Sequence, residues 1–299
     1  MLEAALALLA GLLIGSFLNV CVYRLPRDLS VVRPRSHCPA CENLIAWYDN
    51  IPLVSYVVLA GRCRHCGDKI PWRYPIVELA TGLAFALCVS KLGLSLPALK
   101  FSVFSAIMIA LIATDIEERI LPDEFTLGGT VVGLVFAWFL PLEIGLAGFF
   151  LPWTLGRQWV SMADAALAAG VASGSIWLVA WLYQKLRHRE GMGLGDVKMI
   201  AMIGAFLGLS LALLTLVVAS LFGSIIGVPY AFFAKRKLAR RLAARIRRRQ
   251  KERSLVGPNL RALMVVASRY QLPFGSFLGF AALVLALWGY VVKPGFFGG

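Results

Sequence analysis

About eight apolar stretches, each close to the length of a bilayer crossing, set the terms on which this chain can fold. They lie near Leu2–Tyr23, Ile76–Val89, Leu99–Thr114, Phe125–Phe139, Ala163–Tyr183, Val197–Leu209, Leu211–Phe233 and Phe274–Val292. Lipid offers no partner to a backbone N–H or C=O, so a crossing must satisfy its own hydrogen bonds, which a helix of roughly 17–25 residues does. A soluble domain carries about a quarter charged residues. Here 59% of residues are hydrophobic and only 15% charged, with mean hydropathy +0.77. The fold class is therefore an all-α polytopic membrane protein with about eight transmembrane helices. The first stretch contains Asn19 and runs into Arg24 with no small-residue cleavage site, which marks a retained helix rather than a removed signal peptide.

A net charge of +14 would suit nucleic acid if the basic residues shared one soluble face. They do not. All lysines and arginines except Lys91, Lys100, Arg157 and Lys293 fall in loops on one side: Arg24 to Arg73, Arg119, Lys185 to Lys198, and Lys235 to Arg269. Positive loops stay inside, which puts the amino terminus outside and these loops in the cytoplasm, facing anionic lipid. Anionic membrane lipids are thus the expected partners of the basic loops, and nucleic acid is not expected. Asp115 and Asp196 then stand at the cytoplasmic ends of their spans.

Those two aspartates lie in the chain's two unusual segments. One is Gly191-Met192-Gly193-Leu194-Gly195-Asp196-Val197-Lys198; the other runs from Ala113 through Asp115, Glu117, Glu118 and Arg119 to Leu121-Pro122-Asp123-Glu124. An ionisable residue at the mouth of a membrane helix is costly and marks a candidate site, and glycines at this density allow close backbone approach or positive φ. Two carboxylates at helix ends in a partly dry setting are the parts of an aspartyl protease. Solvated loop acids are the plainer reading. A proton-coupled transporter using Asp115 and Asp196 as a relay is the competing functional one, although transporters commonly show internal repeats with broken helices and none is visible here. Lys198 has two readings, holding Asp196 ionised or reaching lipid phosphate. Glu78 likewise either snorkels to the interface or serves the site.

Residues 24–75 form the one soluble module. It holds two C-x-x-C knuckles, Cys38-Pro39-Ala40-Cys41 and Cys63-Arg64-His65-Cys66. Four thiolates at this spacing close a tetrahedral zinc site, and so short a segment lacks the core to fold without one. A cytoplasmic location argues against disulfides. His37 and His65 flank the knuckles, while Cys21 and Cys88 lie in apolar spans as packing residues.

Taken together, Gly15-Ser16-Phe17-Leu18-Asn19-Val20, the paired knuckles, Tyr74-Pro75 with Glu78, the Asp115 segment and Gly193-Leu194-Gly195-Asp196-Val197-Lys198 resemble the type IV prepilin peptidases, membrane aspartyl endopeptidases of the GxGD group. The resemblance runs from about residue 10 to 230. It implies catalytic Asp115 and Asp196, with Gly193, Gly195, Lys198, Asp123 and Glu124 near the site. It implies prepilin and pseudopilin substrates cut after the glycine ending a short basic leader, in the bacterial inner membrane. It also implies methylation of the new amino terminus with S-adenosylmethionine, although no glycine-rich fingerprint for that molecule is visible. Glu117, Glu118, Asp123 and Glu124 form an acidic patch that either receives the basic leader or pairs with Arg119 and nearby loop arginines.

The organisation expected is a first helix over 1–23, the zinc module over 24–75, a protease core over 76–234, a basic cytoplasmic insertion over 235–273 and a last helix and tail over 274–299. The insertion reads as an amphipathic, lipid-lying helix. Two features depart from the family pattern: that insertion, and Ser276 in Pro273-Phe274-Gly275-Ser276, where a second proline is common.

Overall fold

The computed structural model describes residues 1–141, 145–147, 151, 156–187, 193–227, 229 and 273–292. Among the described residues eight helices form the bundle: α1 (Leu2–Arg24), α3 (Arg73–Leu92), α4 (Leu96–Glu118), α5 (Asp123–Phe139), α6 (Arg157–Arg187), α7 (Leu194–Leu207), α8 (Leu209–Phe222) and α9 (Phe274–Ala286). The short α2 (Val54–Val58) belongs to the loop module. Among the described residues five of these helices are long and apolar enough to cross a membrane, and there are no strands. Several run a turn beyond the apolar stretches, because their ends are polar residues at home at an interface. Gly191, Met192, the end of the stretch predicted to Phe233 and the basic insertion lie outside the described residues.

Polarity is inverted relative to a soluble bundle. Large apolar side chains such as Leu9, Leu13 and Phe17 of α1 and Trp177, Leu178 and Val179 of α6 face outward, where lipid would meet them. Inside, α4 and α7 make the core. Phe104, Met108 and Leu111 pack with Met199, Met202, Ile203 and Phe206, and the Phe104 and Phe206 rings lie 5.1 Å apart. Apolar matching gives no drive for helices to associate in lipid, so close packing must do it. Gly11 and Gly15 show how: a Cβ on either would sit within 2.8 Å of a backbone Cα of α3, at Gly82 and Glu78 respectively. The α1–α3 pair is therefore held by backbone contact, and joins α4 through Leu18, Val77, Phe85, Ile109 and Ala110.

Three link segments place the ends of α4, α7 and α9 together. Arg119, in left-handed conformation at φ 57°, stops α4, and Pro122 restarts the chain as α5. Gly193 caps α7 in extended conformation, and Pro273 precedes α9.

The loop module joins the C-terminal end of α1 to the N-terminal end of α3. Buried Arg24 organises its first half, donating to the carbonyls of Ser30 at 2.9 Å and Pro34 at 2.8 Å. Arg64 pairs with Asp49 through two hydrogen bonds and holds its carboxyl below the usual carboxylate range. Further ties run to the bundle: Arg27 pairs with Glu118 and Arg73 with Glu117, Asn19 donates to the Tyr74 carbonyl at 3.0 Å, and the Leu53 N–H donates to Glu78 at 2.9 Å.

Candidate active site

Asp115 sits in the last turn of α4 and Asp196 in the first turn of α7. Both carboxyls are withdrawn from solvent, at 5% and 9% exposure, and stand close enough to interact electrostatically. Neither is a solvated loop acid.

The two are not equivalent. The backbone N–H and the hydroxyl of Ser276, in the first turn of α9, both donate to Asp115 Oδ2, the hydroxyl at 2.7 Å. No donor to the Asp196 side chain is seen among the described residues. Gly275 makes the contact possible: a Cβ there would lie 3.1 Å from both Asp115 Cγ and Leu121 Cδ1. Leu121 also leans on Gly195, whose Cβ would lie 3.1 Å from its own Cβ. One loop side chain is thus wedged between two glycines, closing the start of α9 and the start of α7 around the carboxyls. Gly193 is different. It has φ −76° and only the Gly195 nitrogen near its Cβ position, at 3.9 Å. Positive φ is therefore not why a glycine stands there; the space beside it is open.

Lys198 follows neither expectation formed from the sequence. Its Nζ donates to both oxygens of Asp123, at 2.7 and 2.8 Å, tying α7 to α5. The acidic patch is likewise largely paired: Glu117 to Arg73, Glu118 to Arg27 and Asp123 to Lys198, with Glu124 exposed. These partners come from α3, the module and α7, elements far from the patch in sequence. Ser276 is the residue that sequence reasoning undervalued. A glycine–serine pair opening a helix was its signal, pairing room for close approach with a first-turn donor.

The knuckles build a second centre. Each is a tight turn: the Cys38 N–H donates to Asn43 O and the Glu42 N–H to Cys38 O, and Cys63, Asp68 and Gly67 repeat the pattern at 2.8 and 2.9 Å. The four Sγ atoms lie within 4.8 Å of one another, with Cys38 and Cys66 3.8 Å apart. A tetrahedral metal with bonds of about 2.3 Å sets sulfurs about 3.8 Å apart, so the donor set fits a metal ion. Backbone N–H groups of Cys66 and His65 bring the Cys63 thiol down to about 7. The Asp68 N–H pulls on Cys66 in the same sense, but burial and the neighbouring thiols outweigh it and push Cys66 up to about 12. Four thiolates this close need a cation. His37 and His65 are not part of the cluster, and Cys21 and Cys88 are buried in the bundle as expected.

Comparison with known proteins accords with this layout. Residues 9–92 match the bacterial peptidase A24 N-terminal domain, and residues 102–228 match the type IV leader peptidase family. Among curated proteins, the prepilin leader peptidase/N-methyltransferase of Neisseria gonorrhoeae is 35% identical, covering 75% of this chain and 80% of the relative. The protein of the same name from Klebsiella pneumoniae is 36% identical, covering 71% and 88%. That of Myxococcus xanthus is 37% identical over 76% of this chain and 63% of its own length. No solved structure matches. The transporter reading has no support in these matches, and they cover both the cysteine module and the helices that carry the two aspartates: the chain belongs to the type IV leader peptidase family.

Proposed function

We propose that this protein removes the short basic leader of prepilins and pseudopilins and methylates the new amino terminus, with Asp115 and Asp196 as the peptidase pair. The observation that carries the reading is the convergence of two buried carboxyls, from helices distant in sequence, at one end of the bundle. Two such groups cannot easily both ionise, so they share a proton and titrate as a pair. Ser276 supplies two donors to Asp115, which favours Asp115 as the carboxylate that takes a proton from the attacking water. Asp196 then carries the shared proton, hydrogen-bonds the scissile carbonyl and passes a proton to the leaving amine. Gly193, beside open space at the mouth of α7, leaves room for the substrate backbone. Lys198 and Asp123 brace that mouth from outside, and exposed Glu124 follows Asp123 in the chain.

The metal at Cys38, Cys41, Cys63 and Cys66 is proposed to be structural zinc. The site is proposed to face the cytoplasm of a bacterial inner membrane, with the amino terminus periplasmic, because positive loops stay inside and Arg27 and Arg73 of one of them pair with Glu118 and Glu117 at the Asp115 end of α4. The same loops suit anionic lipid. The test is co-expression with a type IV prepilin, reading leader removal and the added methyl group by mass spectrometry of the product.

One variant probes the asymmetry of the pair. Ser276→Ala removes the hydroxyl donor and leaves the backbone N–H. A hydrogen bond to a carboxylate contributes about 1.5 kcal/mol or more, so kcat for leader removal should fall roughly tenfold with KM little changed. Ser276→Thr, which restores a hydroxyl, should recover most of it. Steady-state kinetics on a precursor peptide in detergent distinguish this from general loosening, which would raise KM and be indifferent to the threonine.

A further inference from the structure

We propose that the methyl transfer takes place in the cavity enclosed between the cysteine module and the inner ends of α1 and α3, with Glu78 facing the cationic sulfonium of the methyl donor. This rests on the methyltransferase reading above and goes beyond it by naming a place and a charge partner. The cavity has a volume of about 340 Å³, and its wall includes Ser16, Tyr56, Arg73, Tyr74, Glu78 and Glu117.

Four observations converge on it. Glu78 is a carboxylate only 7% exposed, well inside the cavity wall, and the leader-cleavage chemistry does not use it. A buried carboxylate is costly unless a cation or donors compensate it, and the donors seen are the Leu53 N–H at 2.9 Å and the Ser16 hydroxyl, with no cation paired to it among the described residues. Leu53 itself is held at φ 60° and ψ −46°, a conformation that a branched side chain scarcely visits and that persists only where surrounding structure enforces it. Strain is thus stored where the module meets Glu78. Nearby, the Arg73 Nε is buried without a hydrogen-bond partner, on a residue of the same wall.

The position is right for a second reaction on the product of the first. Glu117 lines the cavity and lies two residues beyond Asp115 on α4, so an amine released at the aspartates has a short path. A neighbouring cleft of about 380 Å³ shares six wall residues with this cavity, Val20 among them, and its remaining wall is apolar apart from Arg35, with Leu13, Phe17 and Trp47. Leu13 and Phe17 face outward from α1, so the cleft suits an apolar side chain arriving from the bilayer. It is the natural seat for the first side chain of the mature chain while its amine enters the polar cavity.

Methylating an amine needs a methyl carbon bearing a good leaving group, which a methyl sulfonium supplies. The lone pair of the neutral amine attacks that carbon, the N–C bond forms as the C–S bond breaks, and the C–S pair goes to sulfur to leave a neutral thioether. The methylated ammonium then gives up a proton to water or to a carboxylate. The positive charge that must be bound beforehand lies on sulfur, and Glu78 is the buried anion of this wall.

Two probes differing by that charge make the test: S-adenosylmethionine, a sulfonium, and S-adenosylhomocysteine, the neutral thioether. Binding of each to the full-length protein in detergent is measured by calorimetry. Glu78→Gln keeps an oxygen to accept the Leu53 N–H but loses the charge. It should weaken the sulfonium at least tenfold and the thioether by less than threefold. Val20→Trp, which fills the wall shared by cavity and cleft, should abolish binding of both. Leader removal by the same samples reports that each variant is folded. Equal weakening of both probes by Glu78→Gln would assign Glu78 to holding the loop and overturn the charge pairing. Unchanged binding in both variants would overturn the location. If the unmutated protein binds neither probe and its co-expressed product is cleaved but unmethylated, the methyltransferase reading itself is overturned.

Discussion

Asparagine at Asp115 or at Asp196 should abolish leader removal, lowering its rate by about a thousandfold or more. Loss of a general acid or base costs about 10²–10⁴, and here the two share one proton, so neither can do the other's part. Folding should survive, because asparagine matches the volume of each buried carboxyl and at residue 115 keeps an oxygen for the Ser276 donors. Asp123→Asn is the contrasting case. Asp123 is more than half exposed and is engaged with Lys198 rather than with the pair. Exposed ion pairs contribute at most about 1 kcal/mol, so the loss should stay within about fivefold. Immunoblots of a co-expressed prepilin, with membrane levels of each variant read alongside, decide the matter. Full cleavage by either single asparagine variant would falsify the assignment of the pair.

Serine at both Cys63 and Cys66 should remove the metal, from about one zinc per chain to near none, and abolish methylation while leader removal falls only a few-fold. The two activities part because they rest on different elements. Asp115, Asp196 and Ser276 belong to α4, α7 and α9, and the donors to Asp115 come from Ser276 of α9, outside the module. The proposed methyl-transfer cavity, by contrast, has the module as its roof, with Cys38 and Cys63 in its wall. Structural zinc contributes about 10–16 kcal/mol to small thiolate sites, far more than the hydrogen bonds of so short a loop replace. Some cost to cleavage is expected, because Arg27 and Arg73 reach from the module and its junction to Glu118 and Glu117 on α4. Acid should mimic the substitution in the unmutated protein. The metal binds thiolates and protons compete for the same sulfurs, so lowering pH weakens binding, and raising it restores the metal. Elemental analysis and mass spectrometry of the pilin product test both halves. Uncleaved precursor at normal enzyme levels would show that the module braces the peptidase pair instead.

Much of this protein could be read from local sequence, and the reason is the solvent. Lipid forces each crossing to be a self-satisfied apolar helix, so the stretches from Leu2 to Val292 announced a polytopic bundle. Cysteine spacing announced the metal cluster in the same local way, since a C-x-x-C turn makes its own N–H to sulfur geometry. Asp115 and Asp196 stood out as candidates because a carboxylate at the mouth of an apolar span is costly, and the structure finds both buried. What the sequence left undecided depended on pairings between residues far apart in the chain. Lys198 had two candidate partners, Asp196 and lipid phosphate, and tertiary packing chose a third, Asp123 on α5. Glu117 and Glu118 read either as an open patch for a basic leader or as partners of loop arginines, and tertiary packing chose the second, with Arg73 and Arg27. Ser276 lies 161 positions from Asp115, and only the docking of α9 against α4 at Gly275 turns a helix-opening serine into a donor to one carboxyl of the pair. Hydropathy and spacing are properties of neighbouring residues, so a sequence determines them alone. The partner of a charge and the asymmetry of a pair are set by which helix ends meet, and that is decided by packing.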